Sequence, residues 1–181
     1  MIVFFGPAGA GKSVQGQILA ARMGWRWLSA GQLLRDTKDV ELLHIMHEGK
    51  MVPHDAIAKI MGQAISQATN IDQLILDGFP RLLEQARWLV ENQPNHGRDV
   101  ALVVVLEVPR EELLKRLEIR GRADDTPEAI DQRLNIYRKE MYPVLNFLTE
   151  QHIPVVHIDG TGTVGQVHDR VVAELTSREL V

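Results

Sequence analysis

The feature that most constrains this chain is a glycine-rich segment directly after its first apolar run. Residues 2–5 form a hydrophobic stretch typical of a buried strand, and residues 6–13 then read Gly-Pro-Ala-Gly-Ala-Gly-Lys-Ser. This is the pattern G-x-x-x-x-G-K-S of a P-loop, and a stretch with helical periodicity follows it at residues 14–23. Its glycines let backbone N–H groups turn toward a phosphate, to which the N-terminus of the next helix adds positive potential. The segment therefore predicts a site for nucleotide phosphates.

Two side chains at the end of this loop suit the chemistry of a nucleoside triphosphate. Lys12 can reach the β- and γ-phosphates, and the Ser13 hydroxyl is suited to Mg²⁺. Asp77 ends another apolar run, and from there its carboxylate can hold Mg²⁺ or its waters beside Ser13. We expect the phosphates to contact Gly6, Gly9, Ala10, Gly11, Lys12, Ser13 and Val14.

Composition narrows the class of protein. The chain has 181 residues, a net charge of −4 and no cysteine. Its length favours one domain with a substantial core, and its acidic balance argues against a nucleic-acid-binding surface. The lack of cysteine excludes disulfides and thiolate zinc sites, so we expect a reducing compartment and no structural zinc. No leader precedes the first strand and no apolar run approaches roughly 20 residues, so we expect a cytoplasmic protein without membrane contact.

Apolar runs and stretches with helical periodicity alternate along the chain. This alternation is typical of a parallel sheet covered by helices on both faces, an α/β fold in three layers. In such sheets a ligand lies at the carboxyl ends of the strands, where this chain carries its glycine, aspartate and arginine motifs. Strands are expected at residues 2–5, 25–28, 74–76, 101–106 and 154–158, and helices at 14–23, 31–47, 54–69, 82–91, 109–120, 127–151 and 164–179.

Five ordered motifs resemble the successive signatures of the nucleoside monophosphate kinases, and of the adenylate kinase branch in particular. The resemblance spans nearly the whole chain. It implies a P-loop NTPase fold with a five-stranded parallel sheet, and a monomeric, Mg²⁺-dependent phosphotransferase acting on ATP and AMP. The motifs are the loop at residues 6–13, Leu-Leu-Arg at 33–35, Gly-Lys-Met-Val-Pro at 49–53, Asp-Gly-Phe-Pro-Arg at 77–81 with Gln85, and Arg-Ala-Asp-Asp at 122–125 with Arg133.

The resemblance also implies three parts within the single domain. The core comprises residues 1–29, 70–120 and 126–181, and a helical lobe at about residues 30–69 closes over the monophosphate. The lid at about residues 120–126 is very short, because one glycine separates Arg120 from Arg122 where many family members carry a longer loop or a small zinc-capable domain. Closure of both covers would exclude water, which is the competing phosphoryl acceptor.

Roles for individual residues follow from the resemblance. Arg116 is expected to stack on the donor base, and Asp124 and Asp125 to orient the arginines or cap the helix that begins near residue 127. Lys12, Arg81, Arg120, Arg122 and Arg133 are the expected catalytic residues, and Arg116 and Gly162 complete the ATP site. The expected AMP contacts are Ala30, Arg35, Met51, Val52, Gly78, Arg81, Gln85, Arg122 and Arg133.

The number of cations has an electrostatic reason. Transfer between two phosphates brings anions together, and one pair of unit charges about 4 Å apart repels by roughly 1 kcal/mol in water and roughly 4 kcal/mol at an effective dielectric constant of 20. The acceptor oxygen is already ionised near neutral pH, so no general base is required. Catalysis would then consist of positioning and electrostatic stabilisation, which requires the arginines to converge on the glycine-rich loop.

Two residues give conflicting predictions for which nucleoside monophosphate is the acceptor. Gln85 occupies the position from which the adenylate-specific branch reads adenine through an amide, whereas Ala30 replaces a threonine of that branch and is typical of UMP/CMP kinases. We favour AMP because an amide makes a directed contact with the base. Ser13, Val14 and Gln32 replace the usual glycine, threonine and aspartate of the family. These departures keep a further hypothesis open, a nucleotide-binding switch without transfer activity.

Overall fold

One parallel sheet organises the molecule. The structure is a computed structural model that describes residues 1–92, 97–122 and 125–181, so Asp124 lies outside the described residues. The strand order is β2-β3-β1-β4-β5, and all neighbouring strands are parallel. The predicted three-layer α/β fold with a five-stranded parallel sheet is confirmed. In chain order the elements are β1 (Ile2–Phe5), α1 (Lys12–Met23), β2 (Arg26–Ser29), α2 (Ala30–Asp36), α3 (Val40–His47), α4 (His54–Ser66), β3 (Leu74–Asp77), α5 (Leu83–Asn92), β4 (Leu102–Glu107), α6 (Arg110–Arg120), α7 (Pro127–Glu150), β5 (Val155–Asp159) and α8 (Val164–Thr176).

The sheet is buried on both faces, because alternate side chains of each strand enter different apolar clusters. Val3 and Phe5 belong to a cluster shared with α4, α5 and α7, whereas Ile2 and Phe4 belong to one shared with α1, α6 and α8. This explains why the strands read as continuous hydrophobic runs. Within the described ranges, no helix has the length and apolar character required to cross a membrane.

The single helix predicted at residues 31–47 is wrong, because the structure divides this segment into α2 and α3. Lys38 has a left-handed φ of 56°, which ends regular helical geometry. The Asp39 side chain then accepts the N–H of Leu42 at 3.1 Å and caps the start of α3. Apolar periodicity continues across this break, so only the capping residue marks it in the sequence. The other predicted elements begin and end within three residues of the observed ones.

Helices α2, α3 and α4 lie between β2 and β3 in the chain, where the lobe over the monophosphate is expected. α2 packs against both α4 and β2, and α4 also contacts α5. The carboxyl ends of β1, β2 and β3 therefore meet the P-loop on one side and these helices on the other. The division into core, lobe and lid stays a prediction.

Candidate active site

The P-loop connects β1 to α1 through backbone conformations that require glycine. Gly11 precedes α1 with a φ of 97°, a left-handed geometry that residues with a Cβ rarely adopt. A Cβ on Gly6 would lie 2.9 Å from the carbonyl oxygen of Leu106, so the first glycine lets the loop pass close to β4. The loop therefore places its backbone N–H groups and the N-terminus of α1 at the carboxyl edge of the sheet.

Lys12 is the first residue of α1, and its ammonium group turns back across the loop. Its Nζ donates to the carbonyl oxygens of Gly6 at 2.8 Å and Pro7 at 2.9 Å. Desolvation lowers the pKa of Lys12 to about 8; Arg81 and Arg120 act in the same direction, and Asp77 opposes them. A lysine in this environment gains electrostatic stabilisation when a phosphate approaches.

Ser13 and Asp77 form a pair of hard oxygen ligands beside Lys12. The Ser13 hydroxyl donates to Oδ2 of Asp77 at 2.5 Å, and Asp77 is buried at the end of β3. The described residues contain no group of three or more His, Cys, Asp or Glu side chains that could hold a metal. Mg²⁺ in nucleotide sites needs only one or two protein oxygens, because phosphates and water supply the rest. The donor set therefore fits Mg²⁺ bound together with a nucleotide.

A cleft opens between the P-loop, α2, α4 and the segment after β3. The apolar part of its lining includes the buried side chains of Leu34, Val52 and Ile57. Gln85 is 2% exposed, and its Oε1 accepts the backbone N–H of Arg81 at 2.7 Å. All nine residues predicted to contact AMP line this cleft: Ala30, Arg35, Met51, Val52, Gly78, Arg81, Gln85, Arg122 and Arg133.

Arginines from four separate parts of the chain line the same cleft. Arg35 donates to Oε1 of Gln32 at 3.1 Å, and Nε of Arg81 donates to the carbonyl oxygen of Gly78 at 2.9 Å. Desolvation lowers the pKa of Arg81, and the nearby charge of Arg133 adds to this effect. Such crowding of like charges indicates a site for anions. The arginines of the cleft are Arg35, Arg81, Arg120, Arg122 and Arg133.

Asp125 connects three of these arginine residues. Its carboxylate accepts from Nε of Arg120 at 2.8 Å, from Nη2 of Arg133 at 3.1 Å and from the backbone N–H of Arg122 at 3.3 Å. Burial alone would raise the pKa of Asp125, but its hydrogen bond with Arg120 and the charges of Arg120 and Arg133 outweigh burial and lower it. The cap of α7 is instead Thr126, whose hydroxyl accepts the N–H of Ala129. Of the two expected roles, Asp125 therefore has the contacts of an orienting residue.

A second, shallower groove runs along the other side of the P-loop. Three apolar side chains of this groove face solvent: Val14 is 44% exposed, Ile119 86% and Val164 51%. Arg116 is fixed from two sides, since its Nε donates to Glu112 at 2.9 Å and its Nη2 to the carbonyl oxygen of Gly160 at 3.0 Å. Eight of the residues predicted for ATP line this groove: Gly9, Ala10, Gly11, Lys12, Ser13, Val14, Arg116 and Gly162.

The remaining residue predicted for ATP lies elsewhere. Gly6 lines a small cavity behind the loop, together with Lys12, Arg81 and Arg133. Arg120 and Arg122 line both the cleft and the groove. The structure thus brings the predicted residues together around two openings that share part of their lining.

Several lining residues of the cleft were missed by sequence reasoning. Trp27 packs over Gly16 and also lines the cleft. Lys50 belongs to the motif at residues 49–53, so its position in that motif was an available signal. Met46 and Ile57 also line the cleft, but apolar residues of a helix carry no signal that separates a ligand pocket from the core.

Comparisons with known proteins agree with this geometry. Residues 4–153 match the sequence profile of the family described as adenylate kinase. The chain is 37% identical to the adenylate kinase of Mycobacterium marinum and 35% identical to that of Mycolicibacterium paratuberculosis, in each case covering 96% of this chain and 98% of the relative. It is 34% identical to the adenylate kinase of Thermus thermophilus, covering 96% of each chain. The chain therefore belongs to the adenylate kinase family.

Proposed function

We propose that this chain catalyses the reversible, Mg²⁺-dependent transfer of the γ-phosphoryl group of ATP to AMP, giving two molecules of ADP. The observation that carries the proposal is the convergence of five arginines, from four parts of the chain, on one cleft beside Lys12. That arrangement supplies the positive charge needed to bring two polyanions together. ATP would occupy the groove along α6 and the start of α8, and AMP the cleft beneath α2 and α4.

In this proposal the reaction is a direct displacement between the two sites. An oxygen of the AMP phosphate forms a bond to the γ-phosphorus of ATP, and the bond to the bridging oxygen of the β-phosphate breaks. The leaving oxygen retains the electron pair as part of ADP, so no protein group must accept a proton. Lys12 and the loop N–H groups hold the β- and γ-phosphates, while Arg35 and Arg81 hold the AMP phosphate. Arg120, Arg122 and Arg133 stabilise the transferring group from the remaining side.

Ser13 and Asp77 would hold Mg²⁺ in this site. The ion, when bound, neutralises charge on the β- and γ-phosphates. The carboxylate of Asp77 also lies next to the ammonium of Lys12, so it balances part of the local positive charge before nucleotide binds. The serine hydroxyl at position 13 offers a metal ligand of the kind found in other P-loop proteins.

The preference for AMP rests on the amide of Gln85. Its oxygen already accepts the backbone N–H of Arg81, which leaves the amide nitrogen as the donor toward the cleft. Adenine N1 is an acceptor, whereas the ring nitrogen at the matching edge of uracil carries a proton. A buried donor that meets another donor is costly, so the site favours AMP over UMP. We further propose that the enzyme acts as a cytoplasmic monomer without nucleic-acid or membrane partners.

A coupled assay of ADP production tests the proposal. With ATP and Mg²⁺ present, we expect rapid turnover with AMP and at least tenfold lower kcat/KM with UMP, whose ring N–H would face the amide donor of Gln85. A bisubstrate dinucleotide such as diadenosine pentaphosphate should inhibit competitively against both substrates. Absence of ADP formation, with ATP still bound, would identify a nucleotide switch instead. Comparable kcat/KM for AMP, CMP and UMP would remove the assignment of Gln85 to base selection.

A further inference from the structure

A buried polar contact links the P-loop helix to the last helix of the chain. His168 of α8 is 4% exposed and Gln15 of α1 is 2% exposed, and Nδ1 of His168 lies 3.1 Å from Oε1 of Gln15. Nε2 of Gln15 in turn donates to the carbonyl oxygen of Val164 at 2.9 Å. Both polar side chains lie between α1 and α8, which pack against each other within the apolar cluster on that face of the sheet.

The chemistry of these atoms fixes the tautomer of His168. The carbonyl oxygen of Val164 can only accept, so it must face the amide nitrogen of Gln15 rather than the amide oxygen. The amide oxygen therefore faces His168 and can only accept, so Nδ1 of His168 must carry the proton. The other ring nitrogen, Nε2, is buried without a hydrogen-bond partner among the described residues. A neutral imidazole with its proton on Nδ1 is the state that this geometry accommodates.

The two residues joined by the Gln15 amide nitrogen, Gln15 itself and Val164, both belong to the groove assigned to the donor. Gln15 lies two residues after Ser13, and Gln15, Gly162 and Val164 all line the groove. The turn between β5 and α8 is also held from α6, because Arg116 donates to the carbonyl oxygen of Gly160 at 3.0 Å. The contact with His168 thus fixes the orientation of the Gln15 amide, which in turn bonds to the start of α8.

We propose that His168 is a positioning residue for the donor nucleotide, acting through Gln15 and Val164 to hold the wall of the donor groove against the P-loop helix. This rests on the proposed function, because it takes the groove as the ATP site. His168 does not line the groove. Its effect would therefore appear in ATP binding and leave AMP binding unchanged.

Protonation would oppose this role. A second proton would place an N–H without an acceptor in a buried position, which destabilises the packing of α8 on α1. The charged groups acting on the imidazole are Arg22 from α1 and Asp169 from α8 itself. Burial lowers the pKa of His168 below 6.5, Arg22 lowers it further, and Asp169 partly opposes them. The neutral imidazole therefore favours the packing of α8 on α1 above pH 6.5, and the stability of this packing declines as pH falls from 6.5 through the lowered pKa.

The test compares three variants of the full chain by calorimetric titration with ATP and with AMP. His168→Leu removes the donor at similar volume and should weaken ATP binding about tenfold. His168→Asn can place an amide N–H near the position of Nδ1, so it should restore binding to within about twofold of the parent protein. Val171→Ala is the matched control, since Val171 is fully buried in the same helix but apolar. It should lower the melting temperature without changing ATP affinity.

The pH dependence adds an independent measurement. In a series of titrations from pH 7 downward, ATP affinity of the parent protein should fall relative to that of His168→Asn as the imidazole takes up its second proton. Three results would each overturn the inference. His168→Leu and His168→Asn could weaken ATP binding equally, or His168→Leu could weaken the binding of ATP and AMP equally. The third is a loss of ATP affinity in Val171→Ala as large as that in His168→Leu. A failure of phosphoryl transfer in the parent protein would contradict the proposed function. Because binding is measured directly, the ATP affinities of the variants would still test the role of His168.

Discussion

The two nucleotide openings of this protein differ in how they could recognise a base. The cleft between α2, α4 and α5 is lined by buried Leu34, Val52 and Ile57, with the buried amide of Gln85 among them. The groove along α6 and α8 instead exposes Ile119 and other apolar side chains to solvent. A buried polar contact lets the cleft discriminate between bases, because a wrong base leaves buried polar groups unpaired. An open apolar surface gives affinity with little selection.

Between the two openings lies a phosphate region that serves both. Arg120 and Arg122 line both openings, and Lys12 lines the groove and the cavity behind the loop. The carboxylate of Asp125 binds Arg120 and Arg133 beside this shared region. Substitutions in this region should lower kcat/KM for both substrates, whereas substitutions in one opening should lower kcat/KM for one substrate.

The largest effect is expected at the phosphate region. Arg81→Ala should lower kcat about 10³-fold, because the AMP phosphate loses the cation that positions it for attack on the transferring phosphoryl group. The fold should persist, because the hydrogen bond that the Arg81 side chain makes within the described part of the chain, to the carbonyl oxygen of Gly78, is exposed to solvent. Steady-state kinetics with both substrates at saturation measure the change. Arg26→Ala, at an exposed position of β2, is the matched control and should keep normal turnover.

A smaller effect, confined to one opening, is expected at Gln85. Gln85→Leu removes the amide donor and the acceptor of the Arg81 N–H, and should raise the KM for AMP about 30-fold, the size of one or two lost buried hydrogen bonds. The KM for ATP should change less than twofold. Gln63→Leu, on the exposed face of α4, provides the control. An equal rise in both KM values would break the distinction between the two openings.

For the carboxylate of Asp125, we expect a loss of activity that is similar for ATP and for AMP. Asp125→Asn removes the charge that orients Arg120 and Arg133, and should lower kcat/KM for ATP and for AMP by a similar factor of about ten. Initial rates with each substrate varied in turn give both constants. A loss restricted to one substrate would assign Asp125 to one opening rather than to the region between them.

The pKa of Lys12 gives a prediction for the pH dependence of catalysis with ATP as the varied substrate. Since its pKa in the free protein is lowered to about 8, Lys12 loses its charge as pH rises through that value. Phosphates bind the charged form, so kcat/KM for ATP should decline above pH 8 and be about tenfold lower at pH 9. A pH profile of kcat/KM measures this. A flat profile to pH 10 would show that Lys12 remains protonated in the free enzyme.

The smallest effect is expected for the donor base. Because the exposed apolar groove offers few directed contacts, replacing ATP by GTP should change kcat/KM less than about tenfold, within the range of one weak contact. Ile119→Ser should reduce affinity for both donors by a similar factor of two to three, as expected for the loss of modest apolar burial. A strong preference for ATP over GTP would mean that groups in the groove make directed contacts with the edge of the base.

The sequence by itself was sufficient to predict the architecture and the residues at the centre of the site. The P-loop motif and the alternation of apolar runs with helical segments led to the five-stranded parallel sheet, because both signals are local. The motif positions also placed Arg35 and Arg81 after two different strands, and the structure has both lining one cleft. The break between α2 and α3 was missed, because the apolar pattern continues across it and only Asp39 marks the new helix start.

Only the tertiary structure decided which polar groups are partners. The contact of His168 with Gln15 joins residues far apart in the chain, and the carboxylate of Asp125 selects Arg120 and Arg133 rather than capping α7. Neither choice has a signature in composition or periodicity, since a histidine or aspartate in a helical region is equally compatible with the surface. Hydrogen bonds depend on distances of about 3 Å between specific atoms, and folding alone fixes those distances.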